Sequence, residues 1–266
     1  MSLTAITNAH ILTSNNKSNV LNIGLKNQNI IALGYLPDDE TFTEINAKHS
    51  IIIENTFNIL DEFVDSDKKN KPNNGISITL NEFESIKFLN TYTFLKTYKN
   101  TDFSNNDVHI LYASLTEFLF IIQEAKTFNN TSHFHIIIDA TKESLQTIKA
   151  VTIPDNISLG LALSLPINFE ESEIIELFQE EKAHTLSTKN NANLLPALCK
   201  LFLNKDEKII QSVFNPYFLK NILKKQLQLG SQPSLAIINK KDPYSIVCTL
   251  KKGILYQEQK GDNHDI

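Results

Sequence analysis

The sequence predicts an α/β fold in which βα units in the middle of the chain are flanked by β-rich ends. Between residues 108 and 181, β-branched segments alternate with amphipathic segments, which is the pattern of parallel strands joined by helices. Short strands separated by polar turns occupy residues 5–53, and the same pattern returns after Gly230. We therefore expect the two termini to build one small β domain together.

Length and composition limit the class of protein. With 266 residues, 41% of them hydrophobic, the chain can bury a sizeable core as one large domain or two smaller ones. No stretch has the roughly 18 uncharged apolar residues of a membrane span, and the N-terminus lacks the pattern of a secretory signal. A cytoplasmic protein with no membrane partner is expected. The net charge of −5 argues against a nucleic-acid partner.

All 25 basic residues are lysine. The chain therefore has no planar guanidinium for bidentate capture of a carboxylate or phosphate, and an anionic ligand would be held by lysine, hydroxyl groups, backbone N–H groups or a partner chain. An AT-rich genome explains this usage most simply. Cys199 and Cys248 lie in apolar surroundings with no CxxC or Cys/His spacing, so both are expected to be buried free thiols.

The individual elements follow from local patterns. A crossing stretch, residues 51–63, begins with three isoleucines and leads out of the N-terminal meander. Helices are predicted where apolar residues recur three or four apart, and Pro216 opens the last one. The predicted strands are residues 5–12, 20–25, 30–34, 108–112, 134–139, 157–165, 234–239, 244–250 and 254–256. The predicted helices are residues 79–98, 116–128, 141–150, 170–181, 193–203, 207–214 and 217–227.

Several segments resemble the amidohydrolase superfamily, and the middle of the chain resembles its dihydroorotase-like members. Residues 134–145 are similar to the family segment Leu-His-Ile-x-His-Val-Ser-Thr-x-Glu-Ser. Residues 194–198 and Asn215-Pro216 are similar to later Leu-Pro-Leu-Leu and Asn-Pro-Ala elements. The segments similar to the superfamily's opening and closing β elements are residues 6–12, 22–34, 229–239 and 250–256.

The resemblance implies a shortened or incomplete TIM-like (β/α) barrel at residues 54–228. It also implies a composite β-sandwich domain built from residues 1–53 and 229–260, with a disordered tail at 261–266. The barrel is expected to be incomplete because the chain between Phe63 and Val108 is much too short for the strands that a family member places there. Residues 55–63 would be the first barrel strand.

The resemblance also implies where a metal site would lie. Family enzymes hydrolyse or close a cyclic amide with zinc ions held by a His-x-His after the first barrel strand, further histidines and usually a carboxylated lysine. Here the two positions of the His-x-His carry Asp61 and Phe63, and a later metal-binding histidine position carries Ile138. We therefore predict no catalytic residue, no metal and no cofactor in this chain.

Two other arrangements remain open. His133 and His135 form a His-x-His, but they stand at the entry to a strand, whereas barrel enzymes place their chemistry at the C-terminal end, so a structural or surface role is expected. An atypical site with a single zinc ion would restore an active cyclic amidohydrolase. Its ligands would be drawn from Asp61, His109, Asp139 and His184.

The function implied by the resemblance is that of a catalytically inactive dihydroorotase-like protein of pyrimidine biosynthesis. Some bacteria pair aspartate carbamoyltransferase with such a chain, which serves as an assembly scaffold. The expected partner is therefore the catalytic chain of aspartate carbamoyltransferase, with self-association into a homo-oligomer as a further expectation. A ligand-sensing module that kept a pocket but lost the chemistry is the remaining alternative.

Overall fold

A computed structural model describes residues 3–11, 19–38, 40–63, 76–92, 94, 107–125, 133–164, 167–189, 207–223, 225–241 and 245–257. The predicted helix at 193–203, the tail at 261–266 and Cys199 lie outside these ranges. None of the described helices is long and apolar enough to cross a membrane. Cys248 is a buried free thiol, as predicted, and burial raises its pKa to about 12.

The described residues form two sheets and four α-helices. The strands of the first sheet are β1 (Leu3–Ile11), β2 (Asn19–Lys26), β3 (Asn29–Leu33), β4 (Thr43–Asn46), β5 (Ser50–Glu54), β11 (Leu235–Asn239), β12 (Ile246–Lys251) and β13 (Ile254–Gln257). The strands of the second are β6 (Ile86–Asn90), β7 (Val108–Ala113), β8 (His133–Asp139), β9 (Ile157–Leu163) and β10 (Thr185–Thr188). The helices are α1 (Leu115–Ala125), α2 (Lys142–Ala150), α3 (Glu171–Gln179) and α4 (Glu207–Phe214).

Both ends of the chain share the first sheet, whose strand order is β13-β12-β11-β5-β1-β2-β3, with β4 paired to β1. β5 is the junction, because it runs parallel to β1 and antiparallel to β11. Its isoleucines alternate between two cores: Ile51 and Ile53 belong to the core of the α/β region, and Ile52 belongs to a second core within the terminal sheet. The strands predicted at both termini are confirmed. The β-sandwich remains a prediction.

The two ends of the terminal sheet approach each other. The N–H of Ile30 donates to the carbonyl of Ser231 at 2.9 Å, and the N–H of Gly230 donates to the carbonyl of Ile30 at 2.8 Å. In the turn after β12, Gly253 has a φ of +74°, and a Cβ there would lie 1.8 Å from the carbonyl oxygen of Gln28. Only glycine fits this contact, which brings the turn against the β2–β3 turn.

The second sheet is parallel, and its strands follow sequence order from β6 to β10. Right-handed crossovers that all move in one direction place the connecting helices on one face, as in part of a (β/α) barrel. The buried Phe118 and Ile121 of α1 join the core on which β7 and β8 also pack. Among the described residues no strand joins β6 to β10, so this part of the chain forms no closed barrel.

Two predicted helices differ from the structure. Within residues 79–98 the chain forms a 3₁₀ turn at Leu80–Glu82 and then β6, which pairs with β7 along its whole length, and among the described residues of this range only Thr91, Tyr92 and Phe94 are α-helical. Tertiary pairing overrides an apolar spacing that fits either structure over so short a segment. The helix expected at 217–227 is only the 3₁₀ turn Tyr217–Leu219. The four-residue strand β10 was not predicted.

The crossing stretch is also not the first barrel strand. β5 ends at Glu54, Asn55 turns the chain with a φ of +55°, and Ile59–Phe63 is a 3₁₀ helix. Asn58 is buried and bonds the backbone of Thr188 in both directions, donating to its carbonyl at 3.2 Å and accepting from its N–H at 3.3 Å. The stretch therefore ties the terminal sheet to the end of β10 without adding a strand.

Candidate functional site

One face of the parallel sheet, here called the inner face, carries small and polar side chains. The pairing register places Thr185, Gly160, Ile137 and Tyr112 side by side on four neighbouring strands. Because side chains alternate along a strand, His135 and Asp139 share this face with Ile137. The inner face thus has polar groups near both ends of the strands, and these two ends are chemically different.

The C-terminal ends of the strands carry three polar residues, here called the C-terminal rim: Tyr112, Asp139 and Lys189. Asp139 is the last residue of β8 and accepts two hydrogen bonds, from the Tyr112 hydroxyl at 2.5 Å and from the Lys189 ammonium at 2.6 Å. This is the end at which parallel barrels place their chemistry. The Phe63 ring packs 6.2 Å from the ring of Tyr112 and 5.3 Å from that of Phe88.

Neither hydrogen-bond donor of the rim can accept a proton at neutral pH. Burial and the hydrogen bond to Asp139 raise the pKa of the Tyr112 phenol. The same carboxylate raises the pKa of the Lys189 ammonium, mainly through its hydrogen bond. The rim is therefore an ion pair with a neutral phenol attached. It holds the carboxylate in place and supplies neither an imidazole nor a neutral amine.

The variant Asp139→Asn is expected to lower the free energy of unfolding by no more than about 1 kcal/mol, because an ion pair this exposed to water contributes little. Urea denaturation of both proteins measures the difference. Glu82→Gln, which removes the exposed pair of Glu82 with Lys252, is the matched control. A loss of several kcal/mol specific to Asp139→Asn would show that the rim is a structural element of the fold.

The opposite ends of the strands carry the histidine cluster, which consists of His133, His135 and His184. Ser158 Oγ is hydrogen-bonded to His133 Nε2 at 2.8 Å and to His135 Nδ1 at 2.7 Å. The other ring nitrogen of His135 is hydrogen-bonded to Thr185 Oγ1 at 2.7 Å. These bonds form a continuous chain across β8, β9 and β10.

Aromatic rings cover the histidine cluster. The Phe218 ring stacks on His135 at 4.4 Å and on His133 at 5.1 Å, and Tyr217 meets His184 edge to face at 5.3 Å. Burial lowers the pKa of His133 to about 4, that of His135 well below its usual value, and that of His184 in the same direction. The imidazoles are therefore neutral at pH 7. The cluster is a hydrogen-bonded part of the core. The one sign of it in the sequence was the His-x-His at residues 133–135.

The residues of the atypical zinc site are not brought together. His109 is the second residue of β7, and its ring stacks on Phe134 at 5.3 Å on the outer face of the sheet. Asp139 ends β8, whereas His184 precedes Thr185, which the register places level with Gly160 and Ile137. His184 therefore lies three residues before Asp139 along the strand direction, about 10 Å, and two strands away across the sheet, about another 10 Å. The side chain of Asp61 lies outside the description. Among the described residues, no three His, Cys, Asp or Glu side chains are placed to hold a metal ion.

The other positions that the resemblance assigns to metal ligands have packing roles. Phe63 belongs to the aromatic contacts beside Tyr112. Ile138 is fully buried in the main core. Successive residues of a strand point to opposite faces, so Ile138 points away from Asp139 and from the inner face.

Solved structures with the same fold are amidohydrolases. A dihydroorotase superposes with a TM-score of 0.52 and is 9% identical in sequence to this protein; the match covers 97% of this chain and 98% of the dihydroorotase chain. The dihydropyrimidinase of Brevibacillus agri NCHU1002 is 8% identical, with a TM-score of 0.59 and coverages of 97% and 95%. The L-hydantoinase (dihydropyrimidinase) of Arthrobacter aurescens is 11% identical, with a TM-score of 0.55 and coverages of 97% and 96%.

No family model and no curated protein matches the sequence. At identities this low, likeness to a solved structure establishes the fold alone. The chain therefore has the mixed α/β fold of these amidohydrolases, with a parallel sheet that stays open in the described residues.

Proposed function

We propose that the chain is a catalytically inactive dihydroorotase-like protein of the amidohydrolase superfamily. The observation that carries the proposal is the placement of polar groups on the parallel sheet. The C-terminal rim holds a phenol, a carboxylate and an ammonium, whereas the histidines on the strands of the parallel sheet lie towards the N-terminal ends of those strands. The segments similar to dihydroorotases, and a solved dihydroorotase among the structures with this fold, support the same family.

Hydrolysis of a cyclic amide needs an activated water molecule. In this superfamily zinc would supply it by lowering the pKa of bound water, and zinc needs three or more fixed nitrogen, sulfur or carboxylate ligands with an open position. The rim does not fit that ion, because its one carboxylate is already paired with the Lys189 ammonium at 2.6 Å. An ammonium so close to the carboxylate opposes a cation electrostatically. We therefore derive no catalytic step at the rim.

We further propose that the chain acts in pyrimidine biosynthesis as a structural partner of the catalytic chain of aspartate carbamoyltransferase, in the cytoplasm. The resemblance to the inactive dihydroorotase-like chains that accompany this enzyme supports the role. The packing agrees with it, since the positions that the resemblance assigns to metal ligands carry the partly buried Phe63 and the buried Ile138, which both pack with the main core. A chain selected for assembly needs its fold and its surface and does not need metal ligands.

Co-expression with the carbamoyltransferase catalytic chain of the same organism tests the proposal. We expect the two chains to elute together on size exclusion, and the purified complex to contain less than stoichiometric zinc and no dihydroorotate hydrolysis. Light scattering of the chain alone measures self-association. Separate elution would contradict the partnership. Stoichiometric zinc together with turnover would contradict the inactive assignment and favour an atypical amidohydrolase.

A further inference from the structure

A cleft of about 990 Å³ lies at the N-terminal ends of β9 and β10, away from the C-terminal rim. Three connections form it: the segment from α2 into β9, the segment from α3 into β10, and the segment that follows α4. Its volume is at the upper end of the range for small-molecule sites. The cleft shares no residue with the rim.

The floor of the cleft is apolar. Ile157, Phe178 and Ala183 are buried members of the main core that line it, and the partly buried Val151 and Ile153 pack beside them. The exposed apolar surface of the floor comes from Val151 and Ile153, and a ligand packed on these two side chains would remove that surface from water together with its own. The floor therefore favours a ligand with a sizeable apolar part.

Tyr217 forms one wall, held by its edge-to-face contacts with His184 and His133. These imidazoles are neutral at pH 7 because burial lowers the pKa of each. The wall thus carries no charge of its own at pH 7. The Tyr217 hydroxyl makes no hydrogen bond within the described residues and is available to a ligand.

Two of the three lysines that line the cleft are already engaged. Lys149 pairs with Glu176 at 2.5 Å. Lys182 pairs with Glu180 at 3.2 Å and donates to the carbonyl of Lys149 at 2.7 Å. These two ammonium groups hold α2 and α3 together, and they are not available for a ligand.

The other charges of the cleft are unpaired. Within the described part of the chain, neither the exposed ammonium of Lys220 nor the exposed carboxylate of Asp155 has a hydrogen-bond or ion-pair partner. Asp155 is close enough to Tyr217 to contribute, after burial, to raising the pKa of its phenol. Glu181 adds a second exposed carboxylate at the edge. The cleft therefore combines an apolar floor with charges of both signs that do not pair with each other.

We propose that this cleft binds a free α-amino acid with a large apolar side chain. The ammonium group of the ligand pairs with Asp155, its carboxylate pairs with Lys220, and its side chain covers the floor beside Tyr217. A ligand with only one charge would leave one of these groups unpaired. A small amino acid would leave the floor exposed to water.

Isothermal titration calorimetry of the full chain tests the proposal, with L-phenylalanine as the probe. We expect saturable binding at one site per chain. Both 3-phenylpropionate, which lacks the ammonium group, and 2-phenylethylamine, which lacks the carboxylate, should bind at least about tenfold more weakly because each loses one ion pair. L-alanine, which keeps both charges, should also bind more weakly because it cannot cover the floor.

Two substitutions separate the two ends of the ligand. Lys220→Gln should weaken L-phenylalanine and leave 2-phenylethylamine unchanged, while Asp155→Asn should weaken both and leave 3-phenylpropionate unchanged. Lys225→Gln and Glu84→Gln, at exposed positions outside the cleft, are the matched controls. Absence of saturable L-phenylalanine binding at millimolar concentration, or equal effects of cleft and control variants, would overturn the proposal. Either result leaves the proposed assembly role standing, since co-elution with the carbamoyltransferase is measured separately.

Discussion

Gly160→Ala is expected to lower the free energy of unfolding by about 3 kcal/mol. A Cβ at this position would lie 2.6 Å from Thr185 Oγ1, 2.8 Å from His135 Nε2 and 3.0 Å from Ile137 Cγ1. All three atoms belong to buried side chains on the strands either side of β9, so none can rotate into solvent. The methyl group must break the 2.7 Å bond between His135 and Thr185 or push the strands apart. Equilibrium urea denaturation measures the loss.

Gly34→Ala is the control for the loss of a glycine as such. Gly34 has a φ of +87°, and a Cβ added there would have nothing within 4 Å, so its replacement should cost only backbone strain of about 1 kcal/mol. Combining Gly160→Ala with Thr185→Ala removes the nearest clashing atom, so the double variant should lose less than the sum of the two single losses. If Gly160→Ala lowers the free energy of unfolding by no more than Gly34→Ala does, the histidine cluster has room for a Cβ at position 160 and the prediction is contradicted.

The protein is also expected to lose stability as the pH falls from about 6.5 towards 4. Burial lowers the pKa of His133 to about 4 in the folded state, from an ordinary value of 6.5. Between these values the unfolded chain binds a proton that the folded protein excludes, so stability is fully present above the unfolded pKa and declines below it. Each histidine of this kind contributes a slope of up to about 1.4 kcal/mol per pH unit. His135 and His184, whose pKa values burial also lowers, add to the slope.

Urea denaturation at intervals between pH 7.5 and pH 4.5 measures this slope. His133→Gln keeps a polar group that can reach Ser158 but cannot titrate. It should therefore reduce the slope of the unfolding free energy against pH by up to about 1.4 kcal/mol per pH unit. His10→Gln, on β1 and outside the cluster, is the matched control. An unchanged slope in His133→Gln would mean that His133 is protonated equally in the folded and unfolded states.

The parallel sheet could be predicted largely from local sequence. Runs such as Ile136-Ile137-Ile138 have the β-branched composition of a strand buried on both faces, and the helix that follows begins with a capping box at Thr141 and Ser144. Residues 86–90 could not be predicted, because an apolar residue every third or fourth position over so few residues fits a helix as well as a strand. Pairing with β7, which is not visible in local sequence, decides between them.

The sites were only partly predictable for a similar reason. Alternation places His133 and His135 on one side of their strand, but the last of the four members of the hydrogen-bond chain, Thr185, comes from β10, a strand too short to be recognised. Asp139 was identified as a strand-end carboxylate, whereas its partners are Tyr112 on β7 and Lys189 directly after β10, and only the folded sheet fixes the register that brings them together. The resemblance located the lost metal positions, and it could not show that Phe63 packs beside Tyr112.

The position of β5 between β1 and β11 has a consequence for how the chain folds. The carboxylate of Glu54, the last residue of β5, accepts a hydrogen bond from the backbone of Gln226, 172 residues later. Contacts of such high sequence separation require closure of a loop that contains the whole α/β region, and that entropy is lost before the pairing is gained. On the ribosome, the first five strands are made long before β11, so the terminal sheet cannot be completed until β11, β12 and β13 have been made.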